Sequence, residues 1–172
     1  MLIYLMGYMG SGKTSLGKKL ARKLRYDFAD LDSLIEQRAK RNIPQIFAEE
    51  GEEAFRKLEQ AELRRSFEFN NTVVALGGGT ACFFDNLEQI NKHGISVYLK
   101  LSAVSLAHRL NDSKTKRPLI EGLSEGELFE YVQQQLGERE KFYIRAHLIV
   151  KGEDLRIDQL VEDLSVFDVH LR

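Results

Sequence analysis

Apolar residues along this chain fall into two kinds of pattern. Four short runs, Leu2–Met6, Thr72–Leu76, Ser96–Leu99 and His147–Val150, have the length and apolar character of parallel strands buried on both faces. A fifth run, Tyr26–Asp30, is less apolar and lies between two helical patterns. The stretches between the runs are amphipathic at helical spacing. Leu16, Leu20 and Leu24 share one face, with Lys18, Lys19, Arg22 and Lys23 turned elsewhere; Leu31, Leu34, Ile35 and Ala39 make a second stripe. Residues 52–69, 102–110, 124–142 and 155–165 also read as helices. Strands alternating with helices imply right-handed crossovers and a parallel sheet covered on both faces.

Two stretches break the alternation. Residues 31–69 place at least two helices between strands, more than one crossover needs. Residues 111–123 are polar and interrupted by Pro118 and Gly122. In open α/β sheets ligands bind beyond the carboxyl ends of the strands. The first insertion is therefore a candidate carrier of substrate contacts, and the second a candidate lid.

Composition narrows the picture. The chain has 172 residues, with 25 Lys+Arg against 26 Asp+Glu and a formal net charge of -1, which suits one soluble domain. The near balance argues against a broad nucleic-acid surface and against an acidic solvating tail. A single cysteine, Cys82, excludes an internal disulfide framework and fits a reducing compartment. The four histidines are scattered, without metal-ligand spacing. The apolar start is too short to span a membrane and lacks the basic flank and cleavage site of a signal peptide, so a first strand is expected there.

The chemistry begins at Gly7-Tyr-Met-Gly-Ser-Gly12-Lys13-Thr14, which matches G-x-x-x-x-G-K-[ST] and lies between a predicted strand and a predicted helix. Glycines let the backbone curl so that several N–H groups face one phosphate, and the helix adds its positive end. Gly10, Ser11, Gly12 and Ser15 belong to this cradle, Lys13 can reach the transferred phosphoryl group, and the Thr14 hydroxyl can ligate Mg²⁺. The motif alone says only that nucleotide phosphates bind. The base-reading N-K-x-D of switch GTPases is absent, since Asn91-Lys92-His93 is followed by Gly94.

Asp30 and Asp32 are two apart at the end of a predicted strand, so both carboxylates can face one cleft. One can orient Mg²⁺ through water and the other can take a proton from a hydroxyl nucleophile; equally, Asp32 can cap the helix starting near Leu34. Arg56 and Glu59, three apart on a helix, form either a surface ion pair or part of a site. Gly77-Gly78-Gly79 follows a buried strand, where it serves a ligand or a tight turn that needs positive φ. Arg117, on the candidate lid, can stabilise charge on a transferring phosphoryl group, or it is a solvated basic residue beside Lys114 and Lys116. Arg139 alone reads as an ordinary surface arginine.

Taken in order, these features resemble the shikimate kinases, small P-loop enzymes of the nucleoside-monophosphate-kinase-like group. The marks are Gly7–Thr14, Phe28-Ala-Asp30-Leu-Asp32, Ile46-Phe47 with Gly51-Glu52 and Phe55-Arg56-x-x-Glu59, Gly77-Gly-Gly79, Arg117-Pro-Leu119 and Arg139-x-x-x-Tyr143. The resemblance runs from about Ile3 to Val150. It implies a single α/β domain over 1–172, a three-layer P-loop kinase sandwich. The implied sheet is five-stranded and parallel, in order 2-3-1-4-5, flanked by helices, with substrate-binding helices at 31–69 and a lid at 111–123. It implies transfer of the ATP γ-phosphoryl group to the 3-hydroxyl of shikimate, with Mg²⁺, in the route to chorismate and aromatic amino acids. Asp32 would contact the acceptor hydroxyls and serve as base, and Asp30 would belong with Thr14 to the Mg²⁺ surroundings. Arg56 and Arg139 would grip the shikimate carboxylate, with Gly78 lining the pocket. Lys13 and Arg117 would act on the phosphates, and Arg109 would lie against adenine. A cytoplasmic monomer without nucleic-acid or membrane partners is expected. The chain departs from the family pattern at Ile144-Arg145-Ala146-His147, where acidic residues are usual, and in its lysine-rich lid segment Asp112–Lys116.

Two other readings share the phosphate loop: a kinase for gluconate or a nucleoside monophosphate, and a nucleotide-binding regulatory module without turnover. The paired arginines with the paired aspartates favour a hydroxylated carboxylic acid, because arginine's fork suits a carboxylate and aspartate suits neighbouring alcohols.

Overall fold

The computed structural model describes residues 1–113 and 120–168. Its centre is a five-stranded, all-parallel sheet built from β1 (Leu2–Met6), β2 (Asp27–Asp30), β3 (Thr72–Ala75), β4 (Ile95–Lys100) and β5 (Leu148–Lys151), in the order β2-β3-β1-β4-β5. The order agrees with that implied by the resemblance. Every residue of β1 and β3 is buried, as the unbroken apolar runs predict, while the edge strands β2 and β5 are partly open. Parallel pairing sets Leu5 against Ala75 on one side and against Val97 on the other. The carboxyl ends of β1 and β3 therefore lie side by side.

The helices are α1 (Lys13–Leu24), α2 (Leu31–Ala39), α3 (Ile43–Ser66), α4 (Asn86–His93), α5 (Ala103–Asn111), α6 (Glu125–Tyr143) and α7 (Ile157–Asp168). Helix α1 buries Leu16, Leu20 and Ala21 and leaves Lys18, Lys19 and Lys23 outside. It sits close on the sheet at Gly17, where a Cβ would be 2.5 Å from the Phe28 ring. Caps fix several entries into helices. Asn42 and Gln45 form a reciprocal capping box at α3, Ser124 and Glu127 do the same at α6, and Ser102 caps α5.

The helix expected over 52–69 begins where expected, after a break in α3 at Gly51, whose φ of 80° and ψ of 178° are not helical, but it ends at Ser66, so residues 67–69 lie outside it; the helical stretch 43–50 before the break was not expected. Helix α4 was not expected; eight residues with two buried apolar side chains, Leu87 and Ile90, carry too weak a period. The departure Ile144-Arg145-Ala146-His147 forms the turn between α6 and β5. There Arg145 pairs with Glu88 at 2.7 Å, and His147 Nδ1 accepts from the Ser96 N–H at 3.2 Å.

Candidate active site

The loop between β1 and α1 is held by its own backbone. Gly10 (φ 79°) and Gly12 (φ 94°) occupy left-handed conformations that side chains resist, and a Cβ on Gly10 would also come within 2.9 Å of Leu110. The Ser11 N–H donates to the Tyr8 carbonyl at 3.2 Å. Lys13 is 8% exposed; its ammonium donates to the Gly7 and Tyr8 carbonyls at 2.8 and 3.0 Å and to Ser11 Oγ at 3.5 Å. Arg109, on α5, donates from Nη1 to the Ser11 carbonyl at 3.2 Å. The loop opens onto a cleft of about 520 Å³ whose walls include Gly10, Gly12, Lys13, Thr14, Ser15, Asp30, Asp32, Gly77, Gly78 and Arg109.

Asp30 and Asp32 reach this cleft differently. Asp30, the last residue of β2, caps α2: its Oδ1 accepts from the Ser33 N–H at 3.4 Å, and its Oδ2 accepts from the Thr14 hydroxyl at 2.7 Å. Asp32 lies in the first turn of α2 and does not cap it, which removes the alternative that Asp32 is merely a cap. Burial pushes the Asp32 carboxyl up to about 6; the charges of Asp30, Glu59 and Glu36 add to the rise, and Lys13 opposes it. The Asp30 carboxylate and Thr14 hydroxyl fit a magnesium ion in kind. Mg²⁺ takes few protein ligands and fills its octahedron with phosphate oxygens and water. Among the described residues no group of three or more His, Cys, Asp or Glu gathers as an all-protein cage.

The glycine triplet owes its composition to crowding. None of the three has positive φ, so a turn requiring that conformation does not explain them. A Cβ on Gly77 would stand 3.0 Å from Asp32 Oδ1, Glu59 Oε1 and Thr80 Oγ1; one on Gly78 would stand 3.2 Å from the Met9 nitrogen. On Gly79 it would lie 2.7 Å from Arg56 Nη1. Arg56 is thus pressed against the triplet. Its guanidinium lies 4.0 Å from the Phe83 ring centroid, and Nη1 donates to Glu59 Oε2 at 2.9 Å. Glu59 is 1% exposed and also accepts from the Thr80 hydroxyl at 2.6 Å. The pair is therefore buried, which overturns the surface reading. Removing one partner of such a pair costs about 3–5 kcal/mol, against at most about 1 for an exposed pair.

Arg139, on α6, comes to the other side of the triplet. Its Nη1 lies 3.6 Å from the Cβ position of Gly78, and its guanidinium carbon lies 5.5 Å from the Tyr8 ring centroid. Cys82 lies near both Arg139 and Arg56, yet burial outweighs these cations and pushes its thiol up to about 11, so it is no nucleophile at neutral pH. Arg117 lies outside the described residues, as does the whole stretch 114–119 of the candidate lid. The cleft walls Met9, Leu76, Leu110 and Ser113 and the stacking partner Phe83 escaped sequence reasoning. Apolar residues next to a site look like core, and nothing in sequence marks Phe83 as the neighbour of Arg56.

A phosphate loop, an acidic pair and two arginines thus meet at the carboxyl ends of β1, β2 and β3. The family profile of shikimate kinase matches residues 9–166. The chain belongs to the shikimate kinase family. A shikimate kinase of Parabacteroides distasonis is 43% identical over 163 residues, covering 95% of this chain and 94% of that protein. The crystal structure of a shikimate kinase from Bacteroides thetaiotaomicron is 40% identical, covers 97% of each chain and superposes with a TM-score of 0.90. The shikimate kinase from Acinetobacter baumannii, solved in complex with shikimate, is 30% identical and covers 99% of this chain and 94% of that one, with a TM-score of 0.84. A gluconokinase from Sinorhizobium meliloti shares the fold at 18% identity and a TM-score of 0.59. The fold is shared with a shikimate kinase over nearly the whole chain, and the family settles the class of enzyme, a phosphotransferase.

Proposed function

We propose that this chain transfers the γ-phosphoryl group of ATP to the 3-hydroxyl of shikimate, giving 3-phosphoshikimate and ADP. The observation that carries the proposal is the placement of Asp32. Its carboxylate shares one cleft with Lys13 and stands against Gly77, the start of the triplet that abuts Arg56 and Arg139. A hydroxyl acceptor whose carboxylate meets the arginines lies between base and phosphate loop. In the forward step Asp32 accepts the proton of the attacking hydroxyl as the new O–P bond forms and the bond to ADP breaks. The loop N–H groups and Lys13 hold the phosphates, Ser11 and Ser15 flank them, and Arg109 borders the adenosine side. Arg56 and Arg139 orient the carboxylate as charge-assisted partners, beside Gly78. Bound through Thr14 and, by way of water, Asp30, Mg²⁺ would offset charge on the β- and γ-phosphates. Arg117, closing from the 111–123 lid, would add positive charge and help exclude water.

One domain over 1–172, acting as a cytoplasmic monomer in the route to chorismate, completes the proposal. Among the described residues no helix is long and apolar enough to cross a membrane. Neither the charge balance nor the cleft suggests a nucleic-acid partner. An ADP-release assay against shikimate, gluconate and AMP is the test. ADP should appear with shikimate at least about a hundredfold faster than with the other two, because a site built on paired charged contacts rejects acceptors that leave them unmet. Absence of shikimate-dependent ADP would overturn the proposal.

A further inference from the structure

We propose that Tyr143 is a positioning residue for the acceptor pocket. Its buried hydroxyl joins the Arg139 guanidinium to the Gly78 carbonyl and so sets the aim of the charge that meets the substrate carboxylate. The proposal rests on the assignment of Arg139 and Gly78 to shikimate made above.

Tyr143 ends α6 and is 0% exposed. Its hydroxyl donates to the Gly78 carbonyl. A phenol has one proton to give and lone pairs left to receive. With the proton committed to Gly78, the oxygen is left as an acceptor, and the Arg139 guanidinium reaches the same glycine, its Nη1 lying 3.6 Å from the Gly78 Cβ position. Arg139 lies one helical turn earlier on the same face, where residues four apart meet. The ring is buried and packs against Tyr98 at 5.0 Å between centroids, which restricts its swing. Tyr143 thus ties the end of α6 to the turn after β3, two elements far apart in sequence.

The chemistry of the tether suits its purpose. Arg56 is held by carboxylates, Glu59 and Glu52. The contacts seen for Arg139 are neutral, the Tyr143 hydroxyl and the face of Tyr8. A neutral acceptor orients a guanidinium without cancelling its charge, which leaves that charge for an anionic ligand. A carboxylate in the same place would orient it equally well and compete with the substrate.

The test is steady-state kinetics on Tyr143→Phe, Arg139→Ala and the double variant, with melting temperatures alongside. Tyr143→Phe should raise the KM for shikimate about tenfold, the scale of a misaimed charge-assisted contact, with the KM for ATP nearly unchanged. In the Arg139→Ala background the same change should raise the shikimate KM less than about twofold, because coupled residues are not additive. Tyr98→Phe keeps the ring that packs against Tyr143, removes only a hydroxyl beside Glu140, and should leave the shikimate KM alone. Should Tyr143→Phe fold poorly, p-aminophenylalanine in place of Tyr143 keeps a donor to the Gly78 carbonyl but offers Arg139 only a weak acceptor, and should still raise the shikimate KM about tenfold. A KM near wild type with that replacement overturns the proposal. So does an unchanged KM in Tyr143→Phe, or an equal rise in the Arg139→Ala background. An unchanged KM in Arg139→Ala overturns the Arg139 assignment and this proposal with it. A raised KM there beside an unchanged one in Tyr143→Phe overturns the positioning role alone.

Discussion

Asp32 keeps its proton to an unusual pH because it is drawn out of water beside other carboxylates, and that has consequences of opposite sign for stability and turnover. Its ordinary value is 3.8 and its folded value is about 6. Between these the folded protein binds the extra proton, so stability from this group is greatest at low pH, declines as pH rises from about 4 to about 6, and is level above. Asp32→Asn should therefore raise the melting temperature at pH 7, while kcat falls by about 10²–10⁴ with loss of the base. In the wild type, kcat/KM for shikimate should climb with pH through about 6 before levelling. A limb near 6 that survives in Asp32→Asn would assign it to another group. The Asp30/Asp32 spacing made a shared cleft legible in sequence. It did not say which residue caps the helix, because either carboxylate can, and the strand's end decides. The Arg56–Glu59 spacing likewise announced a contact but not its burial, since the protein packed over the pair comes from the turn after β3.

Among elements, the long ones were legible and the short ones were not. Helices α1 and α6 have enough turns for an apolar stripe to stand out, whereas α4 has eight residues and buries a polar one, Asn86, whose amide donates to the Thr80 carbonyl at 2.9 Å. The break in α3 has a sequence signal only at Gly51, and glycine within a helical pattern has several meanings. Its φ of 80° and ψ of 178° lie in a region open almost solely to glycine, while a Cβ there would meet nothing within 4 Å. Backbone strain alone thus sets the penalty: Gly51→Ala should destabilise the protein by about 1–3 kcal/mol. Gly137, inside α6, also has open space around its Cβ position but no positive φ. Gly137→Ala should stabilise by about 0.5–1 kcal/mol, by removing a helix-interior glycine. Urea titrations of the two variants test this contrast. Equal shifts in the same direction would show that the α3 break is not maintained by its backbone angles.

For the whole molecule, alternating strand and helix patterns implied a parallel sheet, but its order came from family resemblance, because periodicity carries no information about which strands are neighbours. Net charge behaves similarly. A value of -1 over 172 residues averages regions that the fold then separates. Lys13, Arg56, Arg109 and Arg139 come from four helices to the carboxyl end of the sheet. Acidic residues such as Glu49, Glu50 and Asp158 pair with exposed cations elsewhere. Positive charge gathered locally, without a matching global excess, has little reach. At 0.15 M salt the Debye length is only about 8 Å, so long-range steering of a monoanion is weak, while a guanidinium in direct contact with a carboxylate is poorly screened. With ATP and Mg²⁺ saturating, kcat/KM for shikimate should therefore fall less than about threefold between 0.05 and 0.5 M KCl. A protein that gathers its ligand through a broad basic surface loses about 10³ or more over a smaller change. A drop beyond tenfold for this chain would mean that the acceptor is drawn in by charges outside the pocket, and that the proposed pairing of Arg56 and Arg139 with the carboxylate does not set its capture.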